Sequence, residues 1–331
     1  MSENTTTGIT SVGFLLLPGF SMMSLSALLE PLRMANKISQ QPLYRWQIFS
    51  INNQSVSANN GLLLPPSDDI DSDGEWLQCL DDLVLVAGDN IHQHYTPSLR
   101  SLLRRCYQRR IRLGATSTAS FLLAYADLIG QRPCTVHWEY LDAFRDEFPQ
   151  LQLTRSLFEI TPMIMTCSGG LAGLDMFLAI IAEQQGEALS NSIADQYMHS
   201  QIRRGDCAQR NTLIQRYQIH NKKVLLAVTA MEEHLEVPLN LSDIVRLANI
   251  SARQLQRLFQ QQFSCSVMDF YLQLRLQRAR SLLLETDISI ANIALICGFG
   301  TSAYFTRRYR ELFTLTPRDS RRLSHSRSGV V

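Results

Sequence analysis

The sequence predicts two domains: an α/β domain built as a parallel-sheet, flavodoxin-like sandwich, then an all-α domain with two helix-turn-helix units. Three observations predict this. Short continuous apolar runs alternate with helical stretches over the first two-thirds of the chain, and strands buried on both faces of a helix-covered parallel sheet read that way. A helix, tight turn and helix pattern then occurs twice in the last third. The length of 331 residues suits two domains of about 100–200 residues each.

The elements follow in order. Residues 9–17 form an apolar strand, 25–38 a helix, 46–51 a second strand and 83–87 (LVLVA) a buried third. A helix at 97–107, a strand at 111–115, a helix at 119–127, a strand ending at 164–166 and a helix at 170–185 complete the alternation, with a further helix at 190–204. In such sheets ligands sit at the carboxyl ends of the strands. The loops of interest therefore follow Leu17, Ala87, Ala115 and Thr166.

In the last third, 241–263 reads LSDIVRLANISARQLQRLFQQQF. A short amphipathic helix (Ile244, Val245, Leu247, Ala248) leads to a turn at 249–251, and Ser251 caps the next helix. In that helix Leu255, Leu258 and Phe259 face a core, while Arg253, Gln256, Arg257 and Gln260 share the opposite face. Residues 288–313 repeat the design, with Gly298 supplying positive φ at the turn. There Phe305, Tyr309 and Leu312 form the expected buried stripe, and Ser302, Thr306, Arg307 and Arg310 stay outside. Arg, Gln, Ser and Thr are the side chains that read base edges and phosphates in a major groove. One helical hairpin is weak evidence; two in tandem point to double-stranded DNA.

Charge agrees. From His220 onward there are 15 basic and 9 acidic residues, against 16 and 21 in the rest, so the net +1 conceals a basic domain joined to an acidic one. A local excess of this kind is the footprint of a phosphate-binding surface. Other classes are disfavoured. The apolar run 14–17 is too short for a signal peptide or membrane span. Seven cysteines at 79, 106, 134, 167, 207, 265 and 297 include no C-x-x-C, which argues for a reducing cytoplasm and against disulfides or zinc. His92 and His94 lack the carboxylate or cysteine set that would complete a metal site. No phosphate-cradling glycine motif joins a strand to a helix, so no cofactor is expected.

The C-terminal third resembles the AraC/XylS family of transcriptional regulators over about 217–322. The long linking segment 269–286 (DFYLQLRLQRARSLLLET), the GFG at 298–300 and the closing FTLTPRDSRR carry the resemblance. Asp319-Ser320 replaces the usual aromatic of that closing phrase, which concerns helix-end packing. Carried over by position, the base-contacting candidates are Arg253, Gln256 and Arg257, then Ser302, Ala303, Thr306 and Arg307, with Gln260 on the same face. The resemblance implies promoter DNA and RNA polymerase as partners, activation, and recognition helices entering successive major grooves about 34 Å apart.

Residues 9–204 resemble the class I glutamine-amidotransferase-like superfamily, specifically the PfpI-type domain of GlxA-type regulators. The phrases LLLPGFSMMSLSALLEPLRMAN, LVLVAGD, GATSTASFLLAYADLIGQRPCTVHW and TCSGGLAGLDMFLAII carry that likeness, in this order. The resemblance implies domains at 9–204 and 219–323, homodimerisation, and control by a small nitrogen-containing effector such as an amino acid or a quaternary ammonium compound. The polar, basic junction 201–218, with few large apolar residues, reads as the linker, placed at 205–218. Enzymes of the superfamily place an activated Cys at a strand-to-helix elbow and a His later in the chain. Here the elbow position is Ser117, with His137 following, and the loop 18–24 has no carboxylate. A serine hydroxyl is a weak nucleophile without a base and an oxyanion hole. The expectation is a degenerate site kept as a ligand pocket, lined by Phe20, Ser21, Met22, Ser117, Thr118, His137 and Ser168, with no catalytic residue. His137 reads equally as a hydrogen-bonded structural histidine, and Ser168-Gly169-Gly170 as a close-packing helix start. The alternative is an amidase or hydrolase carrying a DNA-binding domain.

Overall fold

The computed structural model describes residues 8–67, 79–89, 91–209, 213–285 and 288–327. It divides into two units, Met1–Gln209 and Arg210–Val331.

The first unit is built on a sheet. Its strands are β1 (Thr10–Leu16), β2 (Tyr44–Ser50), β5 (Asp82–Val86), β6 (Arg112–Thr116), β7 (Phe158–Ile160) and β8 (Ile164–Cys167), with β3 (Val56–Ser57) and β4 (Leu63–Leu64) forming a separate hairpin. The order is β2-β1-β5-β6-β8-β7. All neighbours are parallel except β7 and β8. The sheet is thus mostly parallel, with one antiparallel edge strand that the alternation pattern does not foretell. Backbone and side chain together close that turn: Thr161 N donates to Ile164 O at 2.9 Å, while Thr161 Oγ1 donates to the same carbonyl and accepts from Ile164 N.

The apolar strands are continuous because both faces are covered. Leu15, Leu83, Leu85 and Leu113 point to one core, which α2 (Pro97–Gln108), α3 (Ser120–Tyr125) and α4 (Leu141–Glu147) cover. Val12, Phe14, Leu16, Val84, Val86 and Met165 point to the other, under α1 (Met22–Ser39), α5 (Ala172–Gln185) and α6 (Glu187–Gln196). Each such fully buried side chain contributes about 1.5–3 kcal/mol. The helix expected over 190–204 stops earlier: Met198 takes φ 53°, and 199–209 continues as a strap without helix.

The second unit is helical: α7 (Leu213–Tyr217), α8 (Lys222–Glu233), α9 (Leu241–Ala248), α10 (Ala252–Phe263), α11 (Val267–Glu285), α12 (Ile290–Ile296), α13 (Ser302–Phe313) and α14 (Pro317–Arg327). Helix α11 serves two cores. Val267, Phe270, Tyr271 and Leu274 pack with α8, α9 and α10, while Leu276, Ala279, Leu282 and Leu283 pack with α12 and α13. Within the expected linker, 205–218, Leu213–Tyr217 form a helix. Leu213 and Tyr217 pack on the C-terminal core, and 205–209 belong to the first unit. Among the described residues, no helix is long and apolar enough to cross a membrane.

Candidate functional site

Two sites emerge, one in each unit. In the α/β unit the loops after β1, β5, β6 and β8 converge at the carboxyl end of the sheet. A Cβ on Gly88 would lie 1.9 Å from Gly19 O, so the first two loops touch backbone to backbone. Thr118 Oγ1 donates to Gly88 O. A Cβ on Gly169 would meet the Ser117 Cβ at 3.1 Å, and Gly170 N donates to Ser24 Oγ at 2.9 Å. Gly88→Ala is expected to destabilise this unit by about 1–3 kcal/mol, the usual penalty for forcing extra atoms into a packed site. An unchanged urea midpoint would show that the two loops can separate freely.

Ser117 stands where these loops meet, with φ 59°. A non-glycine residue in this region costs about 1–3 kcal/mol and persists only where the surroundings hold it. The elbow backbone is therefore present, with a serine at its tip. Ser117, Ser21 and Met22 are half-buried, whereas Phe20, Thr118 and Ser168 are buried. Phe20 belongs to the core beneath the loops, the Thr118 hydroxyl is spent on Gly88, and Ser168 N donates to Leu157 O. These three expected pocket residues lie in the packed wall.

His137 lies near the start of the segment 134–141. Its Nδ1 is 3.4 Å from Glu139 Oε2, with side chains 29% and 34% exposed. Its ring neighbours those of Trp138 and Tyr140, and Tyr140 OH donates to Asp89 Oδ1 at 2.8 Å. Imidazole, indole, phenol and the Glu139 carboxylate thus share this loop, with the Asp89 carboxylate of the loop after β5 bonded to it. Cys167, at the end of β8, is fully buried, and burial pushes its thiol up to about 12. It supplies no thiolate in place of the absent elbow cysteine.

The second unit presents two helical faces. Residues 251–264 and 301–314 carry the same succession of exposed, half-buried and buried positions. Ser251 caps α10 in a capping box with Gln254, and Thr301 caps α13 through Tyr304 N. The turns differ. Asn249 takes φ 49° in the first, Gly298 φ 71° in the second, and a Cβ on Gly298 would lie 2.5 Å from Pro238 Cγ. Arg275 of α11 pins this second turn, donating to Cys297 O and Gly298 O while stacking over Phe299.

Arg253, Arg257 and Gln260 are exposed on α10, as are Ser302, Ala303, Arg307 and Arg310 on α13, with Gln256 and Thr306 half-buried. Gln256 Oε1 accepts from Val267 N at 3.3 Å, so its carbonyl helps to cap α11. Arg307 lies over the Tyr304 ring and 3.9 Å from Glu311. Among the described residues no carboxylate pairs with Arg253 or Arg257. The expected buried stripe on α13 shifts by one residue. Leu312 is 39% exposed, and Phe313 takes its place, against Tyr309 and under Arg280.

Comparison with known proteins agrees with this architecture. A helix-turn-helix domain family matches residues 244–323. The chain is 38% identical over 311 residues to the HTH-type transcriptional regulator GbdR of Pseudomonas aeruginosa, covering 94% of this chain and 84% of that one. It is 34% identical over 318 residues to the HTH-type transcriptional regulator GlxA of Rhizobium meliloti, covering 96% and 97%. A ThiJ/PfpI family protein from Pseudomonas syringae superposes with a TM-score of 0.50 at 18% identity, covering 75% of this chain and 94% of that one, which supports the α/β fold. With an α/β unit of this kind and a paired helix-turn-helix unit aligned end to end with such relatives, the chain belongs to the GlxA-type AraC family of DNA-binding transcriptional regulators.

Proposed function

We propose that this regulator is an effector-controlled activator whose α/β unit binds a small nitrogen-containing metabolite at the Ser117 elbow without turning it over. The observation that carries this reading is the left-handed Ser117 at the meeting point of four loops. An elbow backbone is retained there, and the thiolate that would make it reactive is not. Ser21, Met22, Ser117 and His137 form the ligand-facing set in this reading, while Phe20, Thr118 and Ser168 support it from behind. The neighbouring indole, phenol and carboxylates suit a cationic nitrogen, which an aromatic face attracts. Promoter DNA is read by Arg253, Gln256, Arg257 and Gln260 on α10 and by Ser302, Ala303, Thr306 and Arg307 on α13. A homodimer acting on RNA polymerase completes the proposal.

The test is a thermal-shift screen of the full chain against amino acids and quaternary ammonium compounds. A metabolite at 100 times its Kd should add about 2.7 kcal/mol. Ser117→Phe is expected to abolish both that stabilisation and reporter induction, leaving operator binding intact, whereas Ser117→Ala should change the response only modestly. Normal induction of the Phe variant would place the effector elsewhere. The elbow conformation itself favours a second reading, hydrolysis by Ser117. Turnover of amide substrates by the full chain, lost in Ser117→Ala, would establish it.

A further inference from the structure

We propose that Gln209 is a releasable clamp that ties the connection toward the DNA-binding unit to the His137 loop, and that its opening switches the regulator from its uninduced state. The inference rests on the elbow reading above for what opens the clamp, but not for the clamp itself.

The strap from His199 to Gln209 is the last part of the first unit. Its two ends are held by unlike chemistry. At the upstream end the fully buried Asp175 carboxylate accepts from His199 Nε2 at 2.8 Å, Arg203 N at 2.8 Å, Arg203 Nε at 2.9 Å and Arg203 Nη2 at 2.5 Å. Charge-assisted bonds of this kind are the strong ones. In the middle, Leu157 N donates to Gly205 O at 2.7 Å. At the downstream end the hold is neutral: Ala208 forms an isolated antiparallel bridge with Ser156, and beyond it stands one side-chain amide. Gln209 Nε2 faces Thr135 Oγ1 at 2.9 Å, Val136 O at 3.0 Å and Ser156 O at 2.8 Å.

That amide is under-satisfied. It has two protons for three acceptors, and its Oε1 is buried without a hydrogen-bond partner among the described residues. Turning the amide over would set its oxygen against the Val136 and Ser156 carbonyls, which have no proton to offer, so the orientation is fixed. The strap therefore opens from the Gln209 end while Asp175 holds the other.

Its anchor points lead to the elbow. Val136 precedes His137 directly. Thr135, fully buried, is a hub: its N–H donates to Thr166 Oγ1 at 2.9 Å, and its carbonyl accepts from Ser120 Oγ at 2.7 Å. Ser120 opens the helix that follows Ser117. A ligand that draws the 136–137 peptide toward itself removes an acceptor from Gln209, the last residue before the division between the units. Freed, the end of the strap lengthens the connection available to the DNA-binding unit.

Gln209→Ala and Gln209→Glu, in the full chain and with no metabolite added, test this. The Glu variant sets a carboxylate against the Val136 and Ser156 carbonyl oxygens, so it too should open the clamp. Hydrogen exchange of peptides spanning 199–209 and 130–137 should rise in both variants. Uninduced reporter output should rise by about fivefold or more, the scale of an ordinary allosteric coupling. Arg204→Ala, at a side chain 84% exposed on the same strap, should match wild type in both measurements. Wild-type exchange and output in the Gln209 variants would overturn the proposal. So would raised exchange with unchanged output, which would make the amide merely structural. If no screened metabolite stabilises wild type while Gln209→Ala is constitutive, the elbow reading fails and the clamp stands.

Discussion

Asp82→Ala is expected to lower the stability of the α/β unit by about 3–5 kcal/mol, the usual cost of stripping one partner from a buried ion pair. Asp82 and Arg112 face each other across the parallel β5–β6 register. They form a two-pronged bridge, Arg112 Nε to Asp82 Oδ1 at 2.7 Å and Nη2 to Oδ2 at 2.8 Å. The side chains are 5% and 16% exposed. Burial raises the Asp82 carboxyl above the usual carboxylate range even beside the guanidinium. Against the pull of its own burial, the Arg112 guanidinium is held above its ordinary value by the same carboxylate, so the two partners disagree on whether desolvation or attraction prevails. An intact buried pair of this kind often adds little over an apolar one. Removing the carboxylate alone is different, because a guanidinium with little access to water is left unpaired. The loss would consume a large part of a typical domain stability of about 5–15 kcal/mol. Replacing both, Asp82→Leu with Arg112→Met, is expected to recover most of it. All three tryptophans, at 46, 76 and 138, lie in the first unit. Their fluorescence in urea therefore reports that unit alone. A midpoint unmoved by Asp82→Ala would mean that Arg112 finds water or another acceptor.

The contrast between what the sequence discloses and what it hides follows the range of the interactions. Strands β1, β5 and β6 are legible because residues such as Leu83, Val84 and Leu85 need only their neighbours to declare a strand buried on both faces. Ser251 and Gly298 are legible because caps and positive-φ turns are local chemistry. The Arg257 and Arg307 faces are legible from helical spacing. The antiparallel edge strand is not, since its reversal rests on a short turn that Thr161 closes onto Ile164 with both backbone and side chain. Position in a loop at the end of a sheet does not say which way a side chain turns, so Phe20, Thr118 and Ser168 belong to the wall although their loops are the expected ones. Gln256 looks like a free base reader until the Val267 N–H, eleven residues on, is seen bonded to it. Bonds such as Asp82–Arg112, Asp175–Arg203 and Gln209–Thr135 join residues 30, 28 and 74 positions apart. No local pattern encodes such pairs. The only sequence signal is a charged or amide residue where an apolar one would suffice.

Arg257→Ala combined with Arg307→Ala is expected to weaken operator binding by about 2–6 kcal/mol, from about 1–3 kcal/mol for each lost two-pronged base contact. The two residues stand on separate helices over separate cores and share no partner, the condition under which such effects add. They are not equivalent. Arg257 is exposed on a helix, Ala252–Phe263, that contains no carboxylate, so its guanidinium gives up no internal ion pair on meeting a base. Arg307 must leave Glu311, 3.9 Å away, and the Tyr304 ring, which offsets part of what DNA returns. Arg257→Ala should therefore account for more than half of the combined loss. Neither change should affect folding, because both side chains lie outside the cores. Titrations of operator and scrambled duplex at several salt concentrations separate the possible roles. A base contact weakens operator binding and leaves scrambled DNA nearly unaffected. A phosphate contact weakens both and lowers the salt slope by about one. Unchanged operator affinity in the double variant would show that these helix faces do not read the promoter, and the outward surface of this unit would have to be assigned afresh.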